Sequence, residues 1–441
     1  MSTEIEIAAA LPQSNTPLNA GKMSIRDLLV ENENRISNVS FVSDCKEQVL
    51  FPAENKFFFI LNQKTYIVEI KKECVKVSLK ANFVVNSARE CTLIYNDKSK
   101  KPQSRYFIIS ITNADGRTEN DVEVSNNSKS DFKQFQTVLD LKYNAFRINM
   151  KDVEFKTFVE TYIASKVADE VIIYSNPGII SEGMFLYENA LATKDEILWA
   201  DENGYIKTGE KKFIKVAETT HCMPHLLKSE KCGKEVAYEL ITNLIETWDD
   251  AILLALIPLG HMVMALFFND FVTKNGVPTL ILFGETATGK STLVTVGISI
   301  FGLSKDALTS GGSTAKSNEY LTSKLNCCNI CIDDVKEDTL LSNNFNALIK
   351  GAYKAIPRTK MLPYGKGVDY IQFCSPLVYS TNAPLPDPKE ILNRINVVEI
   401  FGKVFKADKF KYHEFDNNNG NNLKELSLIL PELMKYPLVN V

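Results

Sequence analysis

The stretch Leu280–Leu293, LILFGETATGKSTL, is the part of this sequence whose reading decides the fold. The apolar run PTLILF leads into GETATGKS (Gly284 to Ser291), and the helix-capable STLVTVGISIF leads out. The pattern G-x-x-x-x-G-K-[ST] between a strand and a helix is that of a phosphate-binding loop. Its glycines let backbone N–H groups turn inward around a phosphate, and the following helix offers its N-terminus to the negative charge. Gly284, Glu285, Thr286, Ala287, Thr288 and Gly289 would form the cradle. Lys290 would reach the β- and γ-phosphates, Ser291 would place its hydroxyl on Mg²⁺, and Thr292 would extend the set into the helix.

With 441 residues and 45% hydrophobic side chains, the chain has enough apolar material for two or three domains. A net charge of −4 does not imply bulk attraction to nucleic acid or to an anionic membrane, so such a contact must come from a local basic patch. Nine cysteines without framework spacing read as reduced thiols in an intracellular protein, cytoplasmic in a prokaryotic or phage setting, with the nucleus open in a eukaryotic or viral one. Met1–Lys22 lacks the basic and apolar regions of a secretory signal. Ala251–Phe268 is 18 residues without Asp, Glu, Lys or Arg, at the lower limit for a membrane span. It contains Pro258, Gly260 and His261, and is expected to be a helix packed on both sides inside an α/β domain, with no membrane partner.

Four regions are expected. Residues 1–45 read as a polar, disordered leader, with one short helix around MSIRDLLVENENRI. Residues 46–235 form a β-rich α+β region, in which KFFFILNQKTYIVEI, CVKVSLKANFVV and RYFIISITNADGR are β-branched and aromatic runs and NADGR is a hairpin turn. Residues 236–402 carry the glycine loop, and 403–441 form a small lid.

Forty-odd residues after the loop, NCCNICIDDVKED ends an apolar run in Asp333 and Asp334. A buried strand ending in two carboxylates beside a phosphate loop would let Asp333 hold the Mg²⁺ water shell and Asp334 polarise an attacking water. An ordinary turn after a strand gives the same residues. A third strand, SPLVYSTNAP, stops at Ser380-Thr381-Asn382. There the amide of Asn382 could bond the γ-phosphate or orient the water, or could simply start the turn before Pro384. Arg394, the only Arg after Arg358, suits a finger reaching the phosphate of a neighbouring subunit; the alternative is a surface helix residue.

Thr339 to Val368 contains no Asp or Glu but five cations, Lys350, Lys354, Arg358, Lys360 and Lys366. Tyr353 and Tyr364 lie among them, and PYGKG can turn a hairpin tip. Cations that neutralise phosphates and an aromatic that stacks on a base make a groove for a single strand, with Lys354, Arg358, Lys360, Tyr364 and Lys366 as the candidate contacts. A solvated loop is the alternative.

Taken together, GETATGKS, NICIDDV, PLVYSTNAP and NRINVVEI resemble the superfamily 3 helicases of small DNA viruses, phages and plasmids. In that family the loop, acidic strand, polar strand tip and arginine finger follow in this order, here within Gly284 to Arg394. The resemblance implies an α/β fold with a P-loop NTPase core of the AAA+ type, a mostly parallel sheet between helices, behind the β-rich α+β region. It also implies ATP and Mg²⁺ as cofactors, a DNA-touching hairpin between acidic strand and polar tip, and a homo-oligomer such as a hexameric ring on DNA, single-stranded by preference. Upstream, EVIIYSNPGIISEGMFLYEN and ETWDDAILLALIPLGHMVMALFF look like domain of unknown function 927, which is joined to phosphate-loop domains in phage and plasmid primase–helicase proteins. The chain departs from the wider AAA+ pattern in having Asp334 where many members have Glu, and no primase zinc site is present.

HCMPHLLKSEKC gathers His221, Cys222, His225 and Cys232, but adjacent His-Cys cannot easily share one tetrahedral ion. The reading that follows is an Mg²⁺-dependent ATPase working on DNA, with Lys290, Asp333, Asp334, Asn382 and Arg394 as the catalytic set. An ATP-gated switch without translocation and a small-molecule kinase are the alternatives.

Overall fold

A computed structural model describes residues 5–8, 48–50, 56–61, 63–70, 74–94, 103–125, 131–217, 222–361, 368–385, 391–402, 404–413 and 421–435. The chain divides into two compact units: Met1–Leu93 with Pro102–Ile172 and Lys211–Phe213, and Ile94–Lys101 with Ile173–Glu210 and Ile214–Val441.

The first unit is built on antiparallel strands. β1 (Ile5–Ala8), β2 (Gln48–Leu50), β3 (Lys56–Leu61), β4 (Lys64–Ile70) and β5 (Cys74–Ala81) form one sheet in the order β1-β5-β4-β3-β2. β1 lies within the stretch expected to be a leader, where the alternation Ile5-Glu6-Ile7 pairs with Val75–Val77. The helix expected around MSIRDLLVENENRI lies outside the described residues. β6 (Phe83–Ile94), β7 (Gln103–Asn113) and β8 (Thr118–Ser125) follow, with β9 (Val167–Tyr174) beside β6. NADGR makes the expected turn between β7 and β8: Gly116 has φ +76°, and Asn113 Oδ1 accepts the N–H groups of Asp115 and Arg117. Helices α1 (Asp131–Lys142) and α2 (Asp152–Thr157), continued by a π-helical turn Phe158–Ile163, bury Phe135, Phe155, Phe158 and Tyr162 against Phe58. Phe58 meets Phe158 edge-on at 5.5 Å.

The second unit opens with an antiparallel meander of β10 (Gly178–Ser181), β11 (Met184–Leu186), β12 (Ala190–Thr193) and β13 (Ile197–Trp199); β14 (Ile206–Lys207) and β15 (Lys212–Val216) come next in sequence. α3 (Gly233–Trp248) buries Val236, Leu240, Leu244 and Trp248, one every turn, and leaves Tyr238, Ile241 and Ile245 outward. α4 (Leu253–Val263) buries Ala255, Leu259 and Met262 but exposes Leu253 and Ile257. The apolar run is therefore packed on one side, not on both: a helix beside a sheet edge covers the sheet with one stripe only. With the 3-10 turn Met264–Phe267 and α5 (Phe268–Lys274) it makes a 22-residue segment, Leu253–Lys274, that is long and apolar enough to cross a membrane.

The core is a five-stranded, all-parallel sheet in the order β17-β18-β21-β16-β22. Its members are β16 (Thr279–Gly284), β17 (Thr309–Ser310), β18 (Ile330–Asp333), β21 (Leu377–Thr381) and β22 (Ile395–Ile400). Leu280, Ile281 and Leu282 of β16 are all buried, so both faces of the sheet are covered, which a parallel sheet with helical crossovers requires. α6 (Lys290–Ile300) leads towards β17, α7 (Ala315–Thr322) towards β18, and α8 (Glu337–Leu340), α9 (Asn343–Tyr353) and the hairpin β19 (Arg358–Met361)–β20 (Val368–Ile371) towards β21. After β22, β23 (Tyr412–His413) pairs with β24 (Asn421–Asn422), and α10 (Ile429–Met434) joins the same core through Leu430.

Candidate active site

Strand register puts the chemistry-bearing residues at one end of the sheet. Phe283 is level with Thr381, Leu282 with Ser380, and Ile332 with Tyr379. Gly284, Asp333-Asp334 and Asn382 therefore all emerge at the carboxyl ends of adjacent strands, where open parallel sheets bind ligands. The apolar stems of β16, β18 and β21 dictate this alignment, because each buried run stops where a polar residue takes over.

The loop between β16 and α6 is held in a shape that glycine makes affordable. Gly289 caps α6 at φ +90°, and a Cβ there would meet the Phe405 ring at 2.7 Å. Lys290, 6% exposed, bends back into the loop: its Nζ donates to Gly284 O at 2.9 Å, Glu285 O at 2.5 Å and Thr288 Oγ1 at 3.3 Å. The ammonium group's three donors are thus all engaged by oxygens of the loop itself. Burial lowers the Lys290 pKa, and the carboxylates of Asp333 and Asp334 oppose that fall. Thr288 Oγ1 also donates to Glu285 O at 2.9 Å, closing the loop on itself.

The acidic strand end meets the loop directly. Ser291 Oγ, in the first turn of α6, donates to Asp333 Oδ1 at 3.0 Å. The Ser380 hydroxyl donates to the same oxygen and accepts the Asp334 N–H at 3.1 Å. Asp334 has φ +56°, and Asn382 Nδ2 donates to its Oδ1 at 3.3 Å. The structure thus gathers Lys290, Ser291, Asp333, Asp334 and Asn382 at one sheet end, around the loop Gly284–Gly289. A hydroxyl and a carboxylate side by side are hard oxygen donors, a set that fits Mg²⁺ completed by phosphate oxygens and waters.

Arg394 is elsewhere. It precedes Ile395, which is level with Thr279, while Gly284 is level with Ile400. Six residues of strand, roughly 20 Å at 3.3 Å per residue, separate it from the loop of its own chain. The basic stretch is also spread out. Lys354 caps the C-terminal end of α9 and is exposed; Arg358 and Lys360 lie on β19, with Lys360 opposite Asp369 in the register; Tyr364 and Lys366 lie outside the described residues. Tyr353 is a packing residue, its hydroxyl donating to Asn275 O at 2.7 Å.

Two residues escaped the sequence reading as site members, Ser380 and Phe405. A hydroxyl inside the run VYST was visible as a polar strand tip, but nothing in the sequence places Phe405, some 120 positions from the loop, against Gly289. The cysteines at the start of β18 are buried, and burial pushes the Cys327 thiol up to about 12. In the His-Cys cluster, Cys222 Sγ lies 3.3 Å from Ser304 Oγ and His225 faces Glu188 at 3.8 Å, while His221 is outside the described residues.

No family model matches the chain, and no curated protein does. Among solved structures the chain is similar to SCCmec type IV Cch, titled an active helicase, at 14% identity over 88% of this chain, with a TM-score of 0.43. It is also similar to the C-terminal region of NrS-1 in its A-form apo structure, at 14% identity over 79% of this chain and 67% of that one, with a TM-score of 0.32. The chain spans 65% of the length of the Cch structure.

Proposed function

We propose that the second unit is a P-loop NTPase core of the superfamily 3 helicase type, which hydrolyses ATP with Mg²⁺ and uses the energy to unwind or travel along DNA, in the replication of a virus-, phage- or plasmid-like element. The observation that carries the reading is the 3.0 Å hydrogen bond from Ser291 to Asp333, made across the mouth of a glycine loop whose own oxygens engage its lysine. Lys290 exchanges loop carbonyls for the β- and γ-phosphates, and Ser291 and Asp333 hold the metal. Bound there, Mg²⁺ supplies charge neutralisation at the phosphates. Asp334, oriented by Asn382, takes the proton of the attacking water.

Arg394 cannot complete this site within one chain, so it serves the loop of the next subunit, in a ring such as a hexamer. That arrangement makes ATP state a determinant of how neighbours sit, and the β19–β20 hairpin with Arg358 and Lys360 is the element that follows a single strand of DNA. The test is ATP turnover with and without single-stranded DNA. A several-fold stimulation is expected; a rate indifferent to DNA would favour the ATP-gated switch.

A further inference from the structure

We propose that Ser380 is a positioning residue that fixes the metal-side carboxylate, an inference that rests on the nucleotide site described above. Ser380 sits in β21, where every residue is buried, and is itself 2% exposed. A buried hydroxyl costs free energy unless its bonds are made, and an alanine would fill a strand interior as readily. Both of its bonds go to the end of β18. The hydroxyl accepts the backbone N–H of Asp334 at 3.1 Å, which orients its lone pair, and its single proton is then given to Asp333 Oδ1.

This has two consequences for Asp333. Two hydroxyls, Ser291 and Ser380, converge on Oδ1, so that oxygen accepts both bonds. With Oδ1 tied to protein, Oδ2 is the oxygen that would be left to serve a cation, which Ser291 and Asp333 would hold together. The Ser380 hydroxyl, donating from a buried strand, keeps the carboxylate from rotating. The same hydroxyl steadies Asp334, whose φ of +56° is an uncommon state for a residue with a side chain. Further bonds pin the tip: Val335 N–H donates to Ser380 O at 2.9 Å, and Thr381 Oγ1 donates to Val335 O at 2.7 Å. One serine thereby aligns both acids.

The experiment compares the full chain with Ser380→Ala, Ser380→Thr and Lys290→Ala. Binding of a fluorescent non-hydrolysable ATP analogue is measured in EDTA, and Mn²⁺ affinity is measured by electron paramagnetic resonance at saturating analogue. Ser380→Ala is expected to match wild type in EDTA and to bind Mn²⁺ about ten-fold more weakly, the usual loss for an outer-shell partner, while Ser380→Thr stays within about three-fold. Unchanged Mn²⁺ affinity in Ser380→Ala overturns the inference. So does a loss of metal-free binding by Ser380→Ala, or an equal Mn²⁺ defect in Ser380→Thr, because either assigns the residue to packing. If Lys290→Ala binds the analogue in EDTA as wild type does, the nucleotide site itself is wrong, which is a separate failure.

Discussion

Ser291 and Asp333, 42 positions apart in sequence, share a 3.0 Å hydrogen bond between the first turn of α6 and the last residue of β18. The bond exists because two apolar strands of one parallel sheet end at the same level. Asp333→Asn keeps the shape and removes the charge on which the metal role depends. Its Mg²⁺-dependent ATP turnover is expected to fall by roughly 10²-fold or more, with analogue binding in EDTA within about three-fold of wild type. An Asp333→Asn enzyme that turns over normally would remove Asp333 from the metal site.

The level pairing of Ile395 with Thr279 places Arg394 a full strand length from its own loop. A finger that works only between subunits predicts complementation. Lys290→Ala and Arg394→Ala should each be close to inactive alone. Mixed in equal amounts, they should recover about a quarter of the wild-type rate, the share of interfaces joining an intact loop to an intact finger. No recovery from a mixture shown to co-assemble would end the trans assignment.

Asn382 Nδ2 reaches Asp334 Oδ1 at 3.3 Å, a long bond that suits an orienting role. Steady-state kinetics of Asn382→Ala are expected to show kcat lower by roughly 10- to 100-fold, with KM for ATP little changed. Asp334→Asn should cost at least as much. A mutant that raised KM alone would move Asn382 from the water to ground-state binding of the nucleotide.

Arg358 and Lys360 stand two residues apart on β19. If both neutralise phosphates, the slope of log affinity for single-stranded DNA against log salt should shrink by about 0.7 for each one changed to alanine. Titrations at several salt concentrations measure it. An unchanged slope in the double variant would place the DNA elsewhere.

His261 is buried on α4, and Asn396 Nδ2 lies 3.3 Å from its Nδ1. Burial lowers its pKa below the usual 6.5, with the Pro278 carbonyl opposing. In the window between the depressed folded pKa and about 6.5, the unfolded chain binds the proton and the folded chain does not. Stability therefore rises with pH across that window, by at most about 1.4 kcal/mol per unit, and is lost as the medium is acidified. Thermal melts at pH of about 5.5 and 7.5 should show a smaller difference for His261→Gln than for wild type. Equal differences would mean that the imidazole is not a source of the pH dependence.

What the sequence determined by itself was local. GETATGKS between two apolar runs determined the glycine loop, because backbone shape there depends on which residues lack a Cβ. NADGR determined its hairpin for the same reason, and ICIDD and VYSTN determined strands with polar ends, because a buried run has to stop where a charge or an amide begins. The tertiary structure decided what depends on register. It aligned three strand ends that the sequence could only set in order, and it made Ser380 the hydroxyl between the two acids. It put Phe405 against Gly289 and set Arg394 at the far end of the sheet. It also left one side of α4 uncovered, although the run Ala251–Phe268 is apolar all round. Contacts between residues far apart in the chain follow from how sheets and helices stack, and no short stretch carries that information.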